Sequence, residues 1–313
     1  MKQIQKLLII LILLSAGHAA YAQYDPAFSH YWMLERSFNP ATAGKDPMLN
    51  ITGAYSAQMS GFENAPKTMY AGADLPLFFL SPKHGVGLSF LNDEIGLFAH
   101  KRFSLQYAFH QPLWGGTLSA GIQGDMVSEA FDGSKADVED SNDPAIPSSS
   151  VTGSAFDIAA GLYYEHRRWY AGFSVQHALS PKVEMGETNE FSITPSYYFT
   201  AGGNIPLRIP FITIRPSVLA RYDGVDYRID LTGRIVYARD GKHLYGGAGY
   251  SPENSFMLFV GGVFHGVELS YSYEAYTSVP GLKSGAHELA VGYRMDLNLV
   301  KKGRNRHKSV RIL

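Results

Sequence analysis

The chain has 313 residues and balances 27 Lys and Arg against 28 Asp and Glu, a formal net charge of -1 that gives no electrostatic reason to expect nucleic acid as a partner. It contains no cysteine, which excludes a lipidated cysteine anchor, a disulfide framework and any cysteine-ligated metal. Beyond the N-terminus no stretch is long and apolar enough for a transmembrane helix, so the 20 Tyr, 18 Phe and 32 Gly point to strands.

Residues 1–22 read as a cleavable signal peptide. Lys2 and Lys6 give a positive start, Leu7 to Leu14 form an apolar run, and Ala20-Tyr21-Ala22 fits an A-x-A cleavage site before Gln23. The run falls far short of the roughly 20 residues that a spanning helix needs. Residues 23–48 follow as a segment without alternation. Its aromatics, from Tyr24, Phe28, Tyr31 and Trp32 to Phe38, require something to pack against, and Asn39-Pro40 and Gly44 mark turns. The periplasmic mouth or the lumen of a barrel is the expected home, which makes this segment a plug. The connection at 58–68 is rich in turn formers yet keeps Phe62, unusual for a merely solvated loop.

Residues 49–299 carry a period-two alternation that a helix would scatter around its circumference. Phe103, Leu105, Tyr107 and Phe109 alternate with Arg102, Ser104, Gln106 and His110. Leu118, Ala120 and Ile122 oppose Ser119, Gly121 and Gln123, and Phe156, Ile158, Ala160 and Leu162 oppose Asp157, Ala159, Gly161 and Tyr163. The same holds for Tyr227, Ile229, Leu231, Ile235 and Tyr237, for Val267, Leu269, Tyr271 and Tyr273, and for Leu289, Val291, Tyr293, Met295 and Leu297. A soluble sandwich alternates too. Loop length separates the cases: long connections near 60–67, 92–100, 129–151, 179–191 and 276–285 interleave with short ones near 82–84, 114–116, 166–168, 205–210, 238–241 and 265–266. The outward connections at 223–224 and 251–254 are short exceptions. The expectation is an all-β transmembrane antiparallel barrel of about 14 strands, long loops outside the cell, short turns and both termini in the periplasm. Trp114 and Trp169 sit beside short turns, as members of an aromatic girdle do. Gly246, Gly247, Gly249, Gly261 and Gly262 are read as bend points of a closing sheet. Inner-face Arg228, Asp230, Arg234, Arg294 and Asp296 either line a passage or pair to fill a closed lumen.

After Asp296 the chain has no acidic residue, and residues 300–313 form a basic tail with Lys301, Lys302, Arg304, Arg306, Lys308 and Arg311. Such a tail is either simply solvated or a contact for an acidic subunit or anionic surface.

Three motifs carry a resemblance. Asp25-Pro26-Ala27-Phe28-Ser29-His30-Tyr31, Asn39-Pro40-Ala41-Thr42-Ala43-Gly44, and the segment from Gln58 through Gly61-Phe62 to Ala65-Pro66-Lys67-Thr68 are similar to those of the PorP/SprF family of type IX secretion system outer-membrane proteins of the Bacteroidetes. Gly85 to Ser89 and Asn92 to Gly96 resemble the family's next strand and loop; Met59, where many relatives have Trp, departs from the pattern. The likeness in motifs covers about the first hundred residues. It implies a barrel in outer-membrane lipid that works with other type IX components, either as a core part tied to periplasmic ring subunits and the translocon or as a receiver of the C-terminal domain of a secreted adhesin. The residues it marks for partner binding are Phe28, Tyr31, Asn39, Pro40, Gly44, Gly61, Phe62, Pro66 and Lys67, joined by Lys301, Lys302, Arg304 and Arg306 of the tail.

Chemistry is not expected. No HExxH, P-loop, GxSxG or GxGxxG pattern stands in a working context, and His110 and His177 read as polar residues of the wet face. Asp137, Glu139, Asp140, Asn142 and Asp143 offer hard oxygens but lack the glycine of a calcium loop, so neither metal nor cofactor is assigned. The rival class is a passive outer-membrane channel for small apolar solutes, fatty-acid-channel-like, which requires the same barrel.

Overall fold

A computed structural model describes residues 24–77, 83–135, 149–186, 189–277 and 284–296. The signal peptide, the acidic run at 137–143 and the basic tail with Lys301, Lys302, Arg304 and Arg306 lie outside the described residues.

The strands are β1 Leu49–Ala57, β2 Lys67–Pro76, β3 His84–Ile95, β4 Phe98–Leu113, β5 Gly116–Asp132, β6 Ser150–His166, β7 Trp169–Gln176, β8 Lys182–Met185, β9 Asn189–Ser192, β10 Ser196–Gly203, β11 Ile205–Pro206, β12 Ile212–Tyr222, β13 Tyr227–Arg239, β14 Lys242–Ser251, β15 Ser255–Phe264, β16 Val267–Tyr276 and β17 Ala286–Met295. Each barrel strand pairs antiparallel with its sequence neighbours, β10 joins β12, and β1 pairs with β17 from Leu49↔Met295 to Ala57↔His287. The result is a closed barrel of 14 strands, with β11 a short extension on β12 and β8–β9 a separate hairpin. Closure leaves the barrel sheet without a free edge strand, the condition for backbone crossing hydrocarbon.

Pleating then sorts the side chains as the alternation requires. On β4, Phe103, Leu105, Tyr107 and Phe109 are exposed on the outer surface, while Arg102, Ser104, Gln106 and His110 are buried inside. Leu258 on β15 is 65% exposed and its neighbour Met257 1%, an inverted distribution for a water-soluble protein and the expected one for a wall facing lipid. Trp114 and Trp169 also point outward, at 86% and 48% exposure.

Two-residue turns at 114–115, 167–168, 240–241 and 265–266 gather at the end where β1 begins and β17 finishes, here called the turn end. Asp240 (φ 53°) and Gly241 (φ 74°) show why: consecutive left-handed residues match the strand twist in a tight hairpin. The opposite, loop end carries the longer connections after β1, β5, β7 and β16.

Two expectations are corrected at the loop end. The long loop at 92–100 does not exist: β3 and β4 pair as far as Ile95↔Phe98 and turn at Gly96 (φ 62°). The Asn-Asp-Glu composition suggested a loop, but Asp93 is an inner-face residue, buried and bonded to Thr68 at 2.6 Å. The connection at 179–191 contains the β8–β9 hairpin, whose Val183 and Met185 pack against Val127 and Ile193. The glycines at 246, 247, 249, 261 and 262 are not among the positive-φ residues. Several make room for neighbouring side chains: a Cβ on Gly247 would sit 2.5 Å from the Phe259 ring, and one on Gly261 2.5 Å from the Tyr245 ring.

Candidate functional site

The N-terminal segment passes through the barrel. Tyr24 lies at the loop end, its ring centroid 4.3 Å from that of His100 and 5.8 Å from that of Phe191, and the chain then runs down the lumen until Leu49 starts β1 at the turn end. An even number of strands returns the barrel to its starting end at Met295, but the plug crosses the lumen once more, so Tyr24 and Met295 stand at opposite ends.

Local chemistry shapes the plug. Two 3-10 turns, Glu35–Ser37 and Pro40–Thr42, compact it. Asn39 caps the second by accepting from the Ala41 amide at 3.0 Å, while Pro40 occupies the first position, where no amide is needed. The same Asn39 donates from Nδ2 to the Leu162 carbonyl at 3.1 Å. Its backbone reaches the wall only because the wall lacks side chains there. A Cβ on Gly121 would lie 2.3 Å from Ala41 N, one on Gly161 2.1 Å from Asn39 Oδ1, and one on Gly85 2.1 Å from the Ala43 carbonyl. Gly44, left-handed at φ +66°, would itself strike Gly85 Cα at 2.5 Å.

Polar anchors spread around the circumference. At the loop end, Asp25 accepts from Arg102 Nη1 at 3.1 Å, Tyr198 at 2.7 Å and His177 Nε2 at 3.3 Å, and His177 Nδ1 donates to Asp157 at 2.6 Å. Burial works against the Asp25 charge, yet His177 and Arg102 together hold its carboxyl well below the usual range. Burial likewise opposes the His177 charge, but Asp25 and the hydrogen bonds to Asp157 and Asp25 push the imidazole up to about 9. Midway, His30 Nδ1 lies 2.6 Å from Glu288, Tyr31 bonds Ser217 and Thr232 at 3.0 Å each, and the Phe38 carbonyl accepts from Ser174 and Gln176 at 2.5 and 2.7 Å. His110 bonds the Ala43 carbonyl at 3.0 Å, which gives it a structural partner. Toward the turn end Arg36 pairs with Asp74 and donates to Thr52 at 2.7 Å, and Lys45 pairs with Glu35. Apolar contacts fill the rest: Phe28 and Leu34 pack with Ala54, Tyr70, Leu91 and Ala290, while Tyr31 and Phe38 pack with Tyr198 and Leu219.

Little free space is left beside the plug. A cavity of 260 Å³ opens at the loop end and one of 540 Å³ at the turn end. The space beside Phe28, Tyr31 and Phe38 is about 20 Å³, room for about one water. Of the inner charges, Arg228 pairs with Asp230 at 2.8 Å and with Glu274 at 2.7 Å, filling the lumen.

The residues singled out in sequence fall in two places. Phe28, Tyr31, Asn39, Pro40 and Gly44 come together, buried in the plug and its seam with the wall. Gly61, Phe62, Pro66 and Lys67 sit apart in and beside the first loop-end connection, where Phe62 is 58% exposed. Sequence reasoning missed Asp25, Arg102, Asp157 and His177 as one cluster, since they are distant in the chain. It also missed the docking glycines, although glycine on the inner face of successive strands is a readable sign of close approach. Among the described residues no group of three or more His, Asp or Glu is placed to hold a metal.

An apolar outer belt, paired edges and a polar lumen occupied by the chain's own N-terminal segment define an outer-membrane β-barrel with an internal plug. Its sequence matches the family described as type IX secretion system membrane protein PorP/SprF over residues 20–293, and the chain belongs to that family. The family is one of secretion-system membrane proteins. No curated protein matches the sequence significantly. Among solved structures, the Ralstonia pickettii toluene transporter TbuX is similar with a TM-score of 0.51 at 11% identity, covering 89% of this chain and 95% of that one. The Pseudomonas putida toluene transporter TodX follows with 0.49 at 9% identity, covering 87% and 95%. At such identities the likeness concerns the fold alone.

Proposed function

We propose that this barrel is a closed docking component of the type IX secretion system, with the turn end in the periplasm, engaging secretion-ring subunits, the C-terminal domain of a secreted surface protein, or both. Residues 1–22 then serve export, 23–48 the plug, 49–299 the barrel, and 300–313 a basic tail on the periplasmic side. The observation that carries the reading is the plug: it is hydrogen-bonded or ion-paired to strands on every side of the lumen, which favours a rigid anchor over an open conduit. The exposed Phe62 loop supports a contact at the other end.

The rival reading, passage of small apolar solutes, draws on the fold shared with TbuX. It asks for an apolar path, whereas the described lumen has Arg102, Asp157, Gln123 and Gln176 on its wall and Asp25 on its plug, all buried. Two assays separate the readings. Deleting the gene is expected to abolish display of secreted surface proteins while toluene uptake by proteoliposomes holding the purified barrel stays at background. Rapid uptake together with normal secretion would overturn the proposal.

A further inference from the structure

Arg215 on β12 and Arg234 on β13 are direct cross-strand partners with their side chains on the turn-end cavity. Like charges in direct opposition destabilise a sheet. Among the described residues neither guanidinium has a carboxylate in ion-pair contact. Arg234 is 8% exposed and lies with its Cζ 4.2 Å above the Trp32 ring, and its Nε is buried without a hydrogen-bond partner. The same is true of Arg215 Nε, Trp32 Nε1, the Tyr170 hydroxyl and His243 Nδ1. All five side chains line one cavity of 540 Å³.

Arg234, more than nine-tenths buried with no partner on Nε, stands beside a second arginine at the rim of this space, and an unneutralised guanidinium pair there favours an anion held between them. Most carboxylates of the same wall have other partners, although Glu268 also acts electrostatically on Arg215 and His243. Glu35 pairs with Lys45, Asp74 with Arg36, and Glu268 accepts from Tyr245 at 3.0 Å and faces Arg294 at 3.7 Å. Glu165 faces Lys45.

We infer that the turn-end mouth is a binding site for a carboxylate of an acidic peptide segment, clamped by Arg215 and Arg234 and oriented by Trp32, Tyr170 and His243. Two opposed guanidiniums match a carboxylate's planar pair of oxygens. Acidic residues in the same wall, Asp46, Glu165 and Glu268, penalise a phosphate dianion more than a single carboxylate. Met33 and Val263 add apolar surface for the chain around the carboxylate, and the volume lies in the range of about 300–1,000 Å³ of built ligand pockets. The inference stands whichever face of the membrane the turn end meets.

The test uses the full-length barrel in detergent with Trp114 and Trp169 replaced by Phe, so that Trp32 is the fluorophore. It is titrated with a capped Gly-Glu-Gly-Glu peptide, its Gln counterpart and inorganic phosphate. The Glu peptide is expected to give a saturable, salt-sensitive change in Trp32 emission, weakened at least tenfold by Arg234→Gln and about fivefold by Tyr170→Phe, which removes only a hydroxyl that has no internal partner. Equal binding of the Gln peptide, or unaltered affinity in Tyr170→Phe and Arg215→Gln proteins that retain the barrel's heat-modifiable migration, overturns the site. Phosphate binding more tightly than the Glu peptide overturns the assignment to a carboxylate.

Discussion

Replacing Gly121 by alanine tests whether the plug is seated by an absence of side chains. The new Cβ would stand 2.3 Å from Ala41 N and 2.5 Å from Ala41 Cα and Pro40 C, all backbone atoms. Carbon contacts relax near about 3.5 Å, so the Pro40–Thr42 turn has to retreat by roughly 1 Å. Such a retreat stretches the Asn39 Nδ2–Leu162 bond from 3.1 Å and the His110–Ala43 bond from 3.0 Å past hydrogen-bond range. Overpacking of about 1–3 kcal/mol together with two weakened bonds of about 1 kcal/mol each gives roughly 3–5 kcal/mol against the seated plug. The barrel wall keeps its backbone pairing, so the loss falls on the plug. In planar bilayers, Gly121→Ala is expected to raise the frequency of conducting events by about 100-fold or more. The control is Gly233→Ala, where the added Cβ meets nothing within 4 Å. Equal conductance and equal trypsin resistance of residues 24–48 in the two variants would refute the seating argument.

The His177 cluster predicts a pH dependence with a definite sign. Because the folded imidazole is pushed up to about 9, its stabilisation is complete below the unfolded value of about 6.5 and is lost as pH rises through about 9, at about 1.4 kcal/mol per pH unit. Protease cleavage near Tyr24 should therefore increase from pH 7 to 9.5 in the native protein and lose that dependence in His177→Gln. Tyr31→Phe removes the bonds to Ser217 and Thr232 and should destabilise plug seating by about 1–2 kcal/mol, read as a lower urea midpoint for plug release. Phe62→Ser should leave barrel melting within about 0.5 kcal/mol of the native protein, since the ring is exposed, while lowering recovery of a secretion partner in pull-downs. Unchanged recovery would take Phe62 out of the partner surface. Deleting residues 301–313 should weaken retention of periplasmic components; full retention would assign the tail to solvent.

Period-two alternation, with inner polar residues such as Ser104, Gln106 and Gln123 against outer Phe103, Leu105 and Ile122, set the two faces of each strand, and the interleaving of long and short connections separated a closed barrel of about this strand number from a sandwich. Side-chain direction follows the pleat without reference to anything distant, and the early motifs identified the family for a similar reason, since turn and contact residues sit close together in the chain. What the chain alone did not reveal is which inner residues meet. The 92–100 segment had loop composition, yet Asp93 is inward and bonded to Thr68, a fact set by a neighbouring strand. Asp25, Arg102, Asp157 and His177 span most of the first two-thirds of the sequence and converge only when the cylinder closes. The direction in which the plug crosses, the glycine bed beneath it and the opposed Arg215–Arg234 pair are likewise products of closure. A strand's own residues dictate its two faces, but the occupant of the inner one is decided by packing across the lumen.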